Sequence, residues 1–260
     1  MITLADLSAW TKLRAQIKEG VGFVPTMGAL HQGHISLLQQ SVTENPVTVL
    51  SIYVNATQFN DATDLDRYPS SLQDDLVLAE QAGVDYVLLP DYAQMYPDSF
   101  RYQIHENDLS AMLCGADRPG HFAGVLTVVM KLLNLVRPSK AYFGLKDFQQ
   151  YQLIRDMCAA FFMPVNIIGC PIVREADGLA MSSRNRRLNP QARALASNFN
   201  KILQTAPTDE SAALALTAAG LQVGYVATHG ARRCAAVTVM SDDDPVRLID
   251  NVGLDGREAS

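Results

Sequence analysis

The chain is sparing with cysteine, with basic charge and with long apolar runs, and each shortage removes a class of function. Its four cysteines, Cys114, Cys158, Cys170 and Cys234, are widely spread, and none makes a CxxC pair. A zinc site or a redox dithiol is therefore not expected, and reduced thiols in a cytoplasmic protein are. Asp and Glu outnumber Lys and Arg by 27 to 21, giving a formal net charge of -6 and a pI near 5.3. Nucleic acid is thereby disfavoured as the main partner, because backbone phosphate is usually met by a basic face. A small anion held by a local cluster of Lys, Arg and His stays open. The longest apolar segments fall well short of a bilayer span, so no membrane association is expected. Residues 1–6, Met1-Ile2-Thr3-Leu4-Ala5-Asp6, lack a basic stretch followed by an apolar core, so no signal peptide is expected.

Against these shortages, 48% of the residues are apolar and the length is 260. That suffices for a sizeable core, in one large domain or two unequal ones. Strand and helix signals alternate through the first two thirds. Apolar or β-branched runs at 21–24, 47–54, 84–89, 141–143 and 165–168 read as strands. Helical spacing follows from Ile35, over 72–82, over 124–136 up to Pro138, and over 148–162. Apolar strands separated by helices predict an α/β fold, with a parallel sheet covered on both faces and ligands bound beyond the strands' carboxyl ends. After about Val173 the pattern changes to a smaller α+β unit. A helix is predicted over 190–203, a linker over 205–211, a helix over 212–219, and strands at 221–228, 234–241 and 246–250 before a polar tail. The predicted domains are 1–172 and 173–260.

The segment with most chemistry is Pro25-Thr26-Met27-Gly28-Ala29-Leu30-His31-Gln32-Gly33-His34, between the first predicted strand and the helix beginning at Ile35. A helix N-terminus presents unpaired N–H groups and partial positive charge, which favour phosphate. His31 and His34 add donors that can follow charge developing on a triphosphate, and Gly28 and Gly33 allow close backbone approach. Other candidates sit at similar strand ends. Asn55 and Gln58 offer neutral amides for a small polar substrate, although Asn55 alone also reads as a turn cap. In Gly144-Leu145-Lys146-Asp147, the lysine opposes the dipole of the helix that follows, which points to bound phosphate, while Asp147 could cap that helix. Gln149 and Gln150 diverge on that helix, so at most one faces the site.

Three more segments have two readings each. Arg118-Pro119-Gly120-His121-Phe122 is a loop closing over a ligand or a structural turn. Met181-Ser182-Ser183-Arg184, just past the domain boundary, suits phosphate contacts on a closing lid, or Arg184 forms an interface ion pair. Asp74 and Asp75 face Mg²⁺, or simply complement a helix dipole.

Taken together, PTMGALHQGH, YVNATQF, DLDRYPSSLQDDL, RPGHF, FGLKDFQQ and VREADGLAMSSRN resemble the pantothenate synthetase (pantoate–β-alanine ligase) family of the HxGH nucleotidyltransferase superfamily. The resemblance runs from about Phe23 to Leu188. It implies a doubly wound, Rossmann-like N-terminal domain, a small C-terminal lid, a homodimer through the N-terminal domains, and a two-step ligation. ATP and pantoate give pantoyl adenylate and pyrophosphate, and β-alanine then displaces AMP. By resemblance the ATP site takes Met27 to His34, Gly144 to Asp147, Val173, and Met181 to Arg184, with His31, His34, Lys146 and Arg184 as the chemical residues. Gln58 and Gln150 match the pantoate positions, Gln58 also lying near β-alanine. Ala56 stands where the family usually has proline, and Leu145 where it usually has an acidic or polar residue. Beyond Leu203 the match is weak except at residues 247–251. Rival readings are an adenylyltransferase acting on a phosphate ester, a tRNA-binding synthetase-like module and a non-catalytic nucleotide-binding protein. Gln58 and the 146–150 segment count against the first, the acidic pI against the second, and the retained histidines and Lys146 against the third.

Overall fold

A computed structural model describes residues 1–69 and 71–254; the end of the predicted polar tail, 255–260, lies outside the described residues. The chain runs β1 (Ile2–Leu4), α1 (Leu7–Arg14), β2 (Val21–Thr26), α2 (Gln32–Glu44), β3 (Val47–Ile52), α3 (Ala62–Asp66), α4 (Leu72–Gln81) and β4 (Tyr86–Leu88). It continues through α5 (Tyr92–Met95), α6 (Cys114–Asp117), α7 (His121–Val136), β5 (Lys140–Gly144), α8 (Phe148–Ala160) and β6 (Asn166–Cys170). The remainder is α9 (Pro190–Ala196), α10 (Asn198–Thr205), α11 (Asp209–Ala218), β7 (Gln222–His229), β8 (Arg232–Ser241) and β9 (Asp244–Gly253).

The first six strands form one parallel sheet in the order β1-β4-β3-β2-β5-β6. From β2 the chain builds outward through β3 and β4, then crosses back to place β5 on the other side of β2. The strand order therefore reverses between β2 and β5, and a crevice opens there at the carboxyl ends. Both faces of the sheet are covered. On one, Val21, Phe23 and Val49 pack with Trp10 of α1 and with Val125, Leu126, Val129 and Leu133 of α7. On the other, Val24, Leu50 and Val87 pack against Ile35 and Leu38 of α2 and Ala79 of α4. Helix α7 is buried along most of its length, which explains its nearly unbroken apolar sequence. Each such buried aliphatic side chain contributes roughly 1.5–3 kcal/mol relative to exposure.

The C-terminal strands form a separate antiparallel meander, β7-β8-β9, with its own core of Phe199, Leu203, Leu216, Val237 and Val246. Three details correct the sequence reading. The three-residue strand β1 pairs with β4 at the sheet edge and is absent from the sequence-based assignment. The helix expected over 190–203 is two helices, interrupted at Ser197. The expected linker is shorter, because Thr208 and Ser211 cap each other reciprocally and start α11 at Asp209.

Candidate active site

The turn after β2 carries two successive residues with positive φ, Gly28 at +80° and Ala29 at +50°. Such a turn points its N–H groups inward, and they need an acceptor. Asp75, in the first turn of α4, supplies it. Its Oδ2 accepts from the Ala29 N–H at 2.8 Å, and its Oδ1 from the Leu30 N–H at 2.7 Å and the Ser71 hydroxyl at 3.1 Å. A Cβ on Gly28 would lie 2.9 Å from that carboxylate, so glycine is required there for space as well as conformation. The expectation that Asp75 faces Mg²⁺ is thereby corrected: its carboxylate is buried and spent on the turn. Asp74 is exposed and does not line the cleft. Among the described residues, no group of three or more His, Cys, Asp or Glu side chains could hold a metal ion.

Asp75 thus fixes the approach to His31, the N-cap of α2. The His31 Nδ1 accepts from the Gly33 N–H at 3.1 Å, and the His34 Nδ1 accepts from the His31 N–H at 3.3 Å. The rings stack with centroids 4.1 Å apart. Two histidines therefore make a reciprocal cap in the places usually taken by Ser or Thr and Glu or Gln. A neutral imidazole accepting through Nδ1 carries its proton on Nε2, so the cap sets the tautomer of both rings and leaves each an Nε2–H donor. Burial, followed by the charges of Lys146 and Arg186, pulls the His31 pKa down to about 4. Burial, followed by its neighbour His31, takes His34 well below its ordinary value. Both are neutral donors, where the sequence reading had grouped them with cations.

Across the crevice, at the end of β5, Lys146 pairs with Asp147 at 3.0 Å. Asp147 makes no side-chain cap to α8, contrary to its expected role. The backbone of this turn is held from the C-terminal sheet: Asn251 Nδ2 donates to the carbonyls of Leu145 and Lys146 at 2.9 and 3.0 Å. Leu145 is buried, with its side chain over Gly169 of β6. The family's polar residue at that position is thus replaced by one that faces away from the crevice.

At the end of β3, buried Asn55 donates to Gln58 Oε1 at 3.0 Å, while its own oxygen accepts from Tyr96 and Thr57. Gln58 is left with its amide NH₂ as the polar group for the cleft. Gly124 of α7 comes so near that a Cβ would stand 2.4 Å from the Thr57 carbonyl, which sets that helix against the turn. The RPGHF segment braces this turn and also lines the cleft through Arg118, His121 and Phe122. His121 Nδ1 donates to the Gln58 carbonyl at 2.8 Å and its Nε2 faces the Arg118 guanidinium at 3.4 Å. Burial, then Arg118, lowers His121 to about 4. Gln149 is wholly structural, accepting from Cys114 N–H and donating to the Leu109 and Met112 carbonyls. Gln149 and Gln150 both border the cleft, and with the Gln149 amide committed to these backbone partners, the Gln150 amide is the one open to a ligand among the described residues.

Past β6, Met181 stands against the α2 terminus, 3.7 Å from where a Gly33 Cβ would be, and its N–H bonds to the Val173 carbonyl at 2.9 Å. Ser182 caps the turn through Arg184 N–H. Arg184 itself forms an ion pair with Asp64 at 2.6 Å and lies over the Tyr68 ring. The interface ion pair foreseen as the alternative is present, and Arg184 also lines the cleft. One cleft is thus walled by Met27, His31, Gly33, His34, Gln58, Gly144, Lys146, Asp147, Gln150, Val173 and the 181–184 turn. Gly28, Ala29, Leu30, Gln32 and Leu145 are not on its walls. Sequence reasoning missed the turn-holding role of Asp75, and it assigned no role to Asp64, Asn251 or the cleft-lining Arg247, although all three lie in segments that carry the family resemblance.

The depressed histidine values carry a pH consequence. A ring whose folded pKa lies below 6.5 binds fewer protons folded than unfolded, so stability falls as pH drops from about 6.5 toward about 4. The urea midpoint is expected to fall between about pH 7 and about pH 5. A flat profile over that range would contradict neutral rings at positions 31, 34 and 121.

A doubly wound sheet with a capped, donor-rich helix start at its switch point, and a lysine opposite, defines a nucleotide-binding α/β enzyme. Residues 1–253 match the profile of the pantoate-beta-alanine ligase family, and the chain belongs to that family. It is 50% identical to the pantothenate synthetase of Bdellovibrio bacteriovorus over 250 residues, covering 96% of this chain and 97% of that protein. It is 47% identical to that of Coxiella burnetii, covering 95% and 94%. The crystal structure of the pantoate-beta-alanine ligase from Francisella tularensis, complexed with beta-gamma ATP and beta-alanine, superposes with a TM-score of 0.92 at 35% identity over the whole of both chains. Pantothenate synthetase from Thermus thermophilus gives 0.87 at 38%, covering 98% of this chain and 99% of that one. Among the described residues, no helix is long and apolar enough to cross a membrane.

Proposed function

We propose that the cleft joins pantoate to β-alanine with ATP. The pantoate carboxylate attacks the α-phosphorus and pyrophosphate leaves. The amine of β-alanine then attacks the acyl carbon, and AMP leaves as pantothenate forms. The observation that carries the assignment of parts is the reciprocal His31–His34 cap facing Lys146 across the strand-order reversal. Charge develops on phosphate oxygens in the first step, and fixed donors there lower the barrier without a protein nucleophile. The two Nε2–H groups supply neutral donors, and Lys146 and Arg184 supply charge. Mg²⁺ would enter with the triphosphate as part of the substrate and supply positive charge to its oxygens, and Asp75, committed to the turn, would not hold it.

Gln58 and Gln150 orient pantoate through their amides. Arg118, whose charge is disfavoured first by burial and next by Arg184 and Arg247, shares one end of the cleft with them, and this cationic end suits the carboxylate of β-alanine. The C-terminal unit from about 173 serves as the lid, and shields the adenylate from water. The reading includes a homodimer through the N-terminal units and a cytoplasmic location.

The test is exchange of labelled pyrophosphate into ATP without β-alanine. It is expected to require pantoate; exchange without pantoate, or none with it, would sink the assignment. Gln150→Ala is expected to raise the apparent KM for pantoate by about tenfold, since an unpaired substrate group costs about 1–3 kcal/mol. ATP binding without pantoate should stay unchanged. An equal loss of ATP affinity would remove Gln150 from the pantoate role.

A further inference from the structure

Asp64 of the short helix α3, which also carries Asp66, reaches across to the turn that follows the lid boundary. Asp64 Oδ2 accepts from Arg184 at 2.6 Å and its Oδ1 faces Arg187 at 3.3 Å. Arg187 in turn grips Asp244, at the start of β9, with two bonds of 2.8 and 2.6 Å. Asp244 also takes Arg67, the residue that closes α3, at 2.5 Å. The chain of contacts therefore leaves α3, passes through the 183–187 turn and the β8–β9 hairpin, and returns to α3. Burial works against the charge on Asp64, but the Arg184 hydrogen bond and the charges of Arg184, Arg118 and Arg187 outweigh it and hold the carboxyl below its ordinary value.

The charges in this ring do not balance. Two carboxylates face three guanidiniums, which leaves one positive charge in excess for an anion. Arg187 is held at both ends, whereas among the described residues the Arg184 guanidinium is bound only to Asp64 and rests on the Tyr68 ring, 5.8 Å from its centroid. Arg184 is thus the member that can turn to a phosphate while Arg187 keeps Asp64 and Asp244 in place. Isolated surface pairs contribute little, but a closed ring with bidentate geometry is the arrangement in which such pairs matter.

We propose that Asp64 is a positioning residue for the adenylation site. It holds the Arg184 guanidinium at the cleft mouth before the nucleotide enters, and through Arg187 and Asp244 it keeps the lid turn docked on α3 while the adenylate waits for its amine. This rests on the reading of the cleft as an ATP and pantoate site. The role differs from that of the chemical residues, because Asp64 acts through Arg184 and not on the substrate.

The readout is AMP formed without β-alanine, as a fraction of pyrophosphate released from ATP and pantoate. In Asp64→Ala that fraction is expected to rise about tenfold, because an undocked lid admits water to the acyl phosphate. Asp64→Glu should restore the coupling in part. Arg187→Met added to Asp64→Ala should increase the leak no further, since both changes open the same ring. Asp64→Asn, which keeps the shape and one acceptor, repeats the measurement if the alanine variant fails to fold. A lower melting temperature with an unchanged leak would show a merely structural pair and overturn the proposal. Wild-type protein that releases no pantoate-dependent pyrophosphate would instead overturn the functional reading, and this inference with it.

Discussion

His34→Ala is expected to slow pantoate-dependent pyrophosphate release by about 10²-fold or more, the usual consequence of removing one fixed donor from a developing oxyanion. The effect should fall on kcat more than on the KM for ATP, because a neutral Nε2–H interacts most strongly with charge that appears only in the transition state. His34 has a second job, accepting the His31 N–H at 3.3 Å, and losing that cap costs about 1 kcal/mol. His34→Gln separates the two. Glutamine at the third position of a helix can restore the cap but puts no ring donor in the cleft. Melting temperature should therefore recover in His34→Gln while turnover does not. Recovery of both would make the cap, and not the donor, the function of His34.

Replacing Asp75 should be nearly as damaging from outside the cleft. In Asp75→Ala the N–H groups of Ala29 and Leu30 lose a charged acceptor in a buried site, at about 1.5–3 kcal/mol each. The turn that leads into His31 then keeps only the Gly28 N–H bond to the Thr26 hydroxyl, at 3.2 Å, to hold its two positive-φ residues. We expect a loss of at least about 3 kcal/mol in stability with about 10²-fold in turnover, because misplacing a donor by an ångström has that scale of effect. Asp75→Asn should lose less of both, since one acceptor remains. Raising Mg²⁺ gives the decisive contrast. A carboxylate that served the metal would be partly compensated by more of it, whereas a carboxylate that holds backbone would not. Rescue of Asp75→Asn by Mg²⁺ would contradict the account.

Asp75 also shows what the sequence could and could not reveal. The strands and long helices were legible because buried parallel strands are continuous apolar runs and because Gly83 and Pro138 mark helix ends. His31, His34, Lys146 and Gln58 stood out as candidates because strand ends collect ligands, so a polar residue just past an apolar run is informative, whereas only the family resemblance picked Gln150 over Gln149. The supports were not. Asp75 acts on Leu30 across 45 residues, Asn251 on Lys146 across 105, and Asp64 on Arg184 across 120. Nothing in local spacing marks such partners, and an acidic pair in the first turn of a helix looks the same whether it meets a metal, a dipole or a turn. The charge state of the histidines was hidden for a related reason. It depends on burial and on Lys146 and Arg186, which only the fold brings near. The break at Ser197 had no glycine or proline to announce it.

The most direct test of the central claim is the product balance in one reaction with ATP, Mg²⁺, pantoate and β-alanine. AMP and pantothenate are expected in equal amounts, with both acid and amine required for full turnover. Formation of ADP in place of AMP, or AMP formation that is indifferent to β-alanine, would contradict it.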